Sequence, residues 1–406
     1  MQIKNCRNCL SNKINKVFSL GNIYFTGKFL RNNTNPRKGP IRVVMCKSCE
    51  LVQLGNNFDI KYLYGPDYGY QTGINATMTE HVKKVARVLS KKTKIKRNEM
   101  ALDIASNDGT LLNFYSKNIT TFGMDPLVKK FESNYKKIDY KISDFFSAIK
   151  IKKITRKKFK IITALSVFYD LLNPNKFLND VNEILDDSGI FLLEFADLAS
   201  IIKFNMFDTF CHEHLEYYSL KVISKMCKKN DLRIFDIKAN SINGGSIQLF
   251  ICKKTANYKN NNTPINRAFS FERKLKLHKK ETYIKFFKKI KKIKKQTFNF
   301  IQKAKNKNKT IHCYGASTKG NVLLQYFKLN NKMISHVAER NPKKYNLYTP
   351  GSRIQIISES QSRKMLPDYY LVLPWHFKKE ILIREKKTIK NGSKFIFPLP
   401  KFTVEG

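Results

Sequence analysis

The sequence predicts an α/β protein: an N-terminal metal-binding domain, a central Rossmann-like domain and a C-terminal Rossmann-like domain. Three observations carry this reading. Four of the eight cysteines fall in the first 66 residues. Short apolar runs then alternate with helical patterns, as in doubly wound sheets. A strand–glycine-turn–helix unit occurs twice, near residues 100–112 and 311–323. At roughly 100–200 residues per domain, 406 residues hold two or three domains. The boundaries read as 1–66, 67–264 and 265–406.

The elements follow in order. MALDI (100–104) is a strand, SNDG a turn, and TLLNFYSK begins a helix. TTFGMD (120–125) and FKIITALS (159–166) are further strands. NPNKFLNDVNEIL is an amphipathic helix and GIFLLEF (189–195) a strand. RIFDIKA and GSIQLFICKK are antiparallel strands around Asn243-Gly244-Gly245. One long basic helical stretch runs from about Arg267 to Lys307. TIHCYG, ISHVAE and DYYLVLPW are strands of the last domain, and STKGNVLLQYFKL is its helix.

Composition bounds the function. The hydrophobic fraction is 42% and the aromatic fraction 12%, which excludes a disordered chain. The 77 basic residues outnumber the 31 acidic ones, giving +46. The excess is Lys-rich and spread along the chain, so it reads as a solvated surface that favours anionic substrates. A nucleic-acid reader concentrates its charge, and no nucleic-acid partner is expected. No run reaches the ~18–20 apolar residues of a membrane span. MQIKNCRNCL has no apolar signal core. A cytoplasmic protein with reduced thiols is expected, with a monomer favoured.

Four motifs carry chemistry. Cys6-x-x-Cys9 with Cys46-x-x-Cys49 offers four thiolates in two tight turns, a closed structural zinc site. Cys211, Cys227, Cys252 and Cys313 are scattered and read as core residues. The second motif is the turn after strand 100–104, with Asp103, Ala105, Ser106, Asn107, Gly109, Thr110 and Leu111. It brings backbone N–H groups to a ligand at a helix N-terminus. Asp125 ends the next strand, where an acid takes ribose hydroxyls. Asp144 and Phe145 suit an adenine amino group and ring. Adenosine recognition fits these parts, and the glycine pattern is not that of a nicotinamide site.

The third motif is Cys211-His212-Glu213-His214. In an extended segment the two histidines share one side and Glu213 faces away. Such a set provides a tuned base and its orienter. The fourth is Tyr314-Gly315-Ala316-Ser317-Thr318-Lys319-Gly320-Asn321, a phosphate cradle with a lysine. Arg340-Asn341 and Trp375-His376 follow later strands, where α/β sheets bind ligands.

Taken together, these motifs resemble the bacterial C-methyltransferases of nucleotide-linked keto-deoxysugars over nearly the whole chain. The resemblance includes Pro66-Asp67-Tyr68-Gly69-Tyr70, Phe168-Tyr169-Asp170, Asn243-Gly244-Gly245-Ser246 and Pro350-Gly351. It implies an S-adenosylmethionine-dependent methyltransferase (EC 2.1.1.-) in branched-sugar and surface-polysaccharide synthesis. The middle domain then binds S-adenosylmethionine, with Ser166 among its contacts. The C-terminal domain and Asn243 hold the nucleotide-sugar. By the same resemblance His214 is the base, Glu213 supports it, and Tyr68 or Tyr70 is the active-site tyrosine. Two departures stand out: Cys211 replaces a tyrosine before His-Glu-His, and Asp103-x-Ala105 replaces Glu-x-Gly. Other readings are an O- or N-methyltransferase of a glycan precursor and a zinc-containing binder of nucleic acid or anionic surfaces.

Overall fold

The computed structural model describes residues 1–31, 35–65 and 68–406. Pro66 and Asp67 of the resemblance motif, and with them the expected first boundary, lie outside the described residues. Three sheets organise the chain. The first joins β1 (Ile14–Tyr24), β2 (Lys38–Cys46) and β3 (Val52–Leu54) in antiparallel order. Phe18, Leu20, Ile23, Ile41, Val43 and Met45 pack into one core.

The second sheet contains β4 (Met100–Ile104), β5 (Thr120–Met124), β6 (Tyr140–Ile142), β7 (Phe159–Leu165) and β8 (Leu185–Phe195). A two-residue strand, β9 (Glu216–Tyr217), leaves this region and pairs with β3 of the first sheet. The chain returns as β10 (Leu232–Asn240) and β11 (Ser246–Lys253). The order is β10-β11-β8-β7-β4-β5-β6. Strands β4 to β8 are parallel, and β11 runs antiparallel to β8 and β10. β4 is buried throughout, and β7 and β8 nearly so, as parallel strands covered on both faces must be. This is the class I methyltransferase fold.

The third sheet contains β12 (Ile311–Tyr314), β13 (His336–Glu339), β14 (Gln355–Ser358), β15 (Tyr369–Val372), β16 (Lys394–Phe397) and β17 (Thr403–Glu405). Its order is β14-β13-β12-β15-β16-β17, with only β17 antiparallel. The order reverses at β12, so the crevice beyond its carboxyl end is a ligand position.

Two expected helices differ. The segment after β4 forms only a 3₁₀ turn, Leu112–Phe114. Gly109 holds φ +72 and β5 begins at Thr120, which leaves too little chain for a helix and its return. The stretch read as one helix is two, Asn262–Leu275 and Lys280–Asn306. Lys276 turns left-handed at φ 54, and the Thr282 hydroxyl takes the freed carbonyls of Leu275 and Lys276. The expected elements omit β1 and β2, of eleven and nine residues, where register shifts in β1 break the alternation, and the short β3 and β9. They omit β6, β14, β16 and β17 as well. Each has three or four residues, too few for a period to show.

Candidate active site

The two cysteine knuckles are built alike. Leu10 N–H bonds to the Cys6 carbonyl and Glu50 N–H to the Cys46 carbonyl, each at 3.0 Å. Leu10 and Glu50 both turn left-handed, at φ 59 and 66. The four Sγ atoms lie within 4.8 Å of one another, with Cys6–Cys49 and Cys9–Cys46 at 3.5 Å. Sulfurs about 2.3 Å from a tetrahedral zinc lie about 3.8 Å apart, so the cluster fits the ion. Cys6 and Cys46 are fully buried against the core of the middle domain. Purified protein is therefore expected to carry about one zinc. Cys46→Ser should lose solubility or thermal stability before any chemistry. Metal analysis paired with a melting curve checks both.

The loop expected to hold the cofactor lies beyond the carboxyl end of β4. Ala105, Asn107 and Gly109 all have positive φ, at 57, 52 and 72. Asp125 fastens this loop: its carboxylate accepts from Asn107 N–H at 2.9 Å and Leu127 N–H at 2.7 Å. Burial pushes its pKa up to about 6. Asp103 accepts from the Thr163 hydroxyl at 2.5 Å, and burial pushes it up to about 7. Ser106 Oγ pairs with Tyr135 Oη at 2.7 Å. From above, Thr72 and Gly73 donate backbone N–H groups to Asn107 and Asp108, at 2.9 and 2.8 Å. Asp108 is fully buried and also accepts from the Thr110 hydroxyl at 2.6 Å. Leu111 faces the core of the middle domain. Asp144 pairs with Lys150 at 2.5 Å on the surface, and Phe145 is 40% exposed.

The left-handed Ala105 carries a Cβ cost of about 1 kcal/mol. Ala105→Gly is expected to leave the melting temperature unchanged or raised. An ordinary alanine would lose stability on that change.

The His-Glu-His segment is bent, not extended. The bend splits the two histidines, correcting the shared face expected of them. His212 is fully buried between Phe25 and Phe58, with Nε2 3.2 Å from the Gly39 carbonyl. His214 packs on Tyr169, ring centroids 4.3 Å apart. Its Nδ1 lies 2.8 Å from the Thr209 carbonyl, so Nδ1 carries the proton and Nε2 keeps its lone pair. Burial, then Lys319, lowers its pKa to about 4. Its orienting contact is thus Thr209, while Glu213 accepts from the Thr26 hydroxyl at 3.3 Å. Burial raises Glu213 above the ordinary carboxylate range. Burial and then Glu213 raise Asp170 likewise. Thr209 and Thr26 had no sequence signal beyond their position.

Lys319 donates to the Asn243 carbonyl at 2.8 Å, and Asn243 donates to Ser166 Oγ at 3.2 Å. The Lys319 ammonium also acts on His214, His376 and Asp208. Trp375 Nε1 donates to Asp208 at 2.9 Å. Hydrogen bonds and the Lys319 charge therefore link Ser166, Asn243, His214, Lys319, Trp375 and His376 into one cluster. Other candidates are engaged elsewhere. Tyr314 Oη donates to Glu385 at 2.7 Å and accepts from Arg384 Nε at 3.2 Å. Ser317 caps its helix through Gly320 N–H, and the fully buried Asn321 donates to the Thr26 carbonyl. Arg340 approaches Glu380 at 3.8 Å, and Asn341 caps a 3₁₀ turn at Lys343. Gly315, at φ 79, packs so closely on Pro374 that a Cβ would lie 2.8 Å from its ring.

Tyr68 and Tyr70 separate as well. Burial and then Asp170 and Glu213 keep the Tyr68 hydroxyl protonated. Tyr70 lies over the cofactor loop, where its carbonyl accepts from Asn107.

Three family models match the chain. Residues 6–64 match the family model described as "Putative zinc binding domain". Residues 74–237 match "Methyltransferase domain", and residues 241–400 match "C-methyltransferase C-terminal domain". The curated relative "C-methyltransferase NovU" of Streptomyces niveus is 26% identical over 405 residues, 98% of this chain and 96% of the relative. The chain is an S-adenosylmethionine-dependent C-methyltransferase. Two solved structures are also similar to it. One is an S-adenosylmethionine-dependent methyltransferase from Clostridium acetobutylicum, 12% identical, covering 43% of this chain and 92% of that one, TM-score 0.36. The other is magnesium protoporphyrin IX methyltransferase from Synechocystis with bound SAH, 14% identical, covering 48% and 92%, TM-score 0.34. Among the described residues of this C-methyltransferase, no helix is long and apolar enough to cross a membrane.

Proposed function

We propose that this C-methyltransferase methylates the carbon beside the keto group of a nucleotide-linked 4-keto-deoxysugar, with His214 as base. The supporting observation is the Thr209 contact, which leaves His214 Nε2 unprotonated in the Lys319 cluster. Beside it, Asp170 Oδ1, Asp208 Oδ1, Thr209 Oγ1, Glu213 Oε1 and His376 Nδ1 are buried without hydrogen-bond partners. Buried polar atoms call for partners, and a polyhydroxylated ligand supplies them.

His214 Nε2 takes the proton from the carbon, and the electron pair delocalises onto the keto oxygen. That carbon then bonds to the methyl group. The 105–109 loop, Asp125 and Ser166 would hold S-adenosylmethionine, which when bound would supply an electrophilic methyl, its S–CH3 bond breaking with the electron pair left on sulfur. His214 releases its proton to solvent after transfer. In this reading the Tyr68 hydroxyl, kept protonated by burial and by Asp170 and Glu213, donates to the keto oxygen. Lys319 adds positive charge beside the same centre. The sugar-nucleotide lies along the crevice beyond β12, with Asn243, Trp375 and His376 around the sugar.

Incubation with [methyl-13C]S-adenosylmethionine and a panel of TDP-, UDP-, GDP- and CDP-linked 4-keto-6-deoxysugars tests the reading. The expected product shows one-bond carbon–carbon coupling to the new methyl. Turnover of none of the panel, or a methyl on oxygen or nitrogen, contradicts it.

A further inference from the structure

Arg7 sits inside the first cysteine knuckle, yet its side chain is only 4% exposed. All three guanidinium nitrogens are engaged. Nη1 donates to the Leu54 carbonyl at 2.8 Å, Gln53 Oε1 at 3.2 Å and the Leu215 carbonyl at 3.3 Å. Nη2 donates to the Asn56 carbonyl at 2.9 Å and Asn57 Oδ1 at 2.6 Å, and Nε to Asn57 Oδ1 at 3.1 Å. Nε also lies 3.5 Å from the fully buried Glu216 carboxylate, neither oxygen of which has a hydrogen-bond partner. Leu215 and Glu216 directly follow His214. The Leu215 carbonyl also accepts from Leu54 N–H at 2.8 Å, and Leu215 N–H bonds to the Tyr169 carbonyl at 2.6 Å.

We propose that Arg7 is a positioning residue: it couples the zinc knuckle to the segment that carries His214, through the Leu215 carbonyl and the Glu216 carboxylate. The knuckle holds the start of the Arg7 side chain, and the planar fork spans the edge of β3 and the start of β9. Lysine, a point donor, cannot reproduce that span. The zinc domain thereby does more than fold; it sets where the base stands. The effect on turnover rests on His214 being the base, whereas the coupling itself is read independently of catalysis.

Hydrogen exchange by mass spectrometry on the zinc-loaded full chain tests it, with Arg7→Lys, Arg7→Met and the double variant Arg7→Met/Glu216→Met. In Arg7→Met, peptides covering 211–217 are expected to exchange about ten-fold faster, the factor one net hydrogen bond carries. Peptides from 159–165 and 190–195 stay unchanged, and zinc stays at one equivalent. Arg7→Lys falls between. The double variant removes the stranded buried charge, so it recovers melting temperature but not the protection of 211–217. Turnover falls with it, while the Kd for S-adenosylmethionine holds. Wild-type exchange at 211–217 in Arg7→Lys and in the double variant overturns the proposal. So does recovery of both stability and protection in the double variant, or faster exchange across all peptides alike. If Arg7→Met alone fails to fold, Arg7→Lys and the double variant decide.

Discussion

Replacing His214 by Asn is expected to lower turnover by about 10²–10⁴-fold, the contribution of a positioned base. Affinity for S-adenosylmethionine should stay within about two-fold, because the cofactor loop makes its contacts elsewhere. A carbon next to a ketone is not nucleophilic until it loses a proton, so the loss falls on the chemical step. The pH profile sharpens the test. His214 is lowered to about 4 by burial and by Lys319, so it is neutral across the physiological range. The acid limb of turnover due to this base should lie near pH 4–5, not near the ordinary ~6.5. Stability follows the same sign. The folded pKa lies below the unfolded one, so this contribution is complete above about pH 6.5 and is lost as pH falls toward 4. His214→Asn should remove both dependences, read by stopped-time assays and by melting curves across pH.

Asp125→Ala is expected to weaken S-adenosylmethionine binding by on the order of 1.5–3 kcal/mol, about 10–150-fold. Two losses combine. The carboxylate no longer meets the ribose hydroxyls. Asn107 and Leu127 also lose the acceptor that holds the left-handed loop in place. Asp125→Asn keeps one acceptor oxygen and should fall between. Burial raises Asp125 to about 6, and the ionised form is the better acceptor. Cofactor affinity should therefore decline as pH drops below about 6, and Asp125→Asn should flatten that decline. Calorimetry with S-adenosylmethionine at several pH values measures it. An unchanged Kd in Asp125→Ala contradicts the assignment.

The parts legible in the sequence are those where one residue type meets one demand. Paired CxxC turns and the apolar parallel strands are of this kind. Contacts set by chain folding between domains are not. The bend at Cys211–Glu213 separates His212 from His214, and no local pattern announces it. The Thr209 carbonyl orients His214, but backbone atoms carry no sequence signature. Tyr314, Ser317 and Asn321 sit in a ligand-like motif. The Glu385–Arg384 network, a helix cap and the Thr26 carbonyl engage them instead. The missing helix after β4 reflects the short return to β5, a constraint of the sheet and not of the residues between.

The most direct measurement follows the proton. Wild-type protein and His214→Asn are incubated in D2O with S-adenosylhomocysteine and the 4-keto-sugar nucleotide that the panel identifies. Mass spectrometry then follows deuterium entering the carbon beside the keto group. The account predicts steady exchange with wild type and a loss of about 10²-fold or more with His214→Asn. Equal exchange by the two proteins would contradict it and assign proton removal to another group of the cluster.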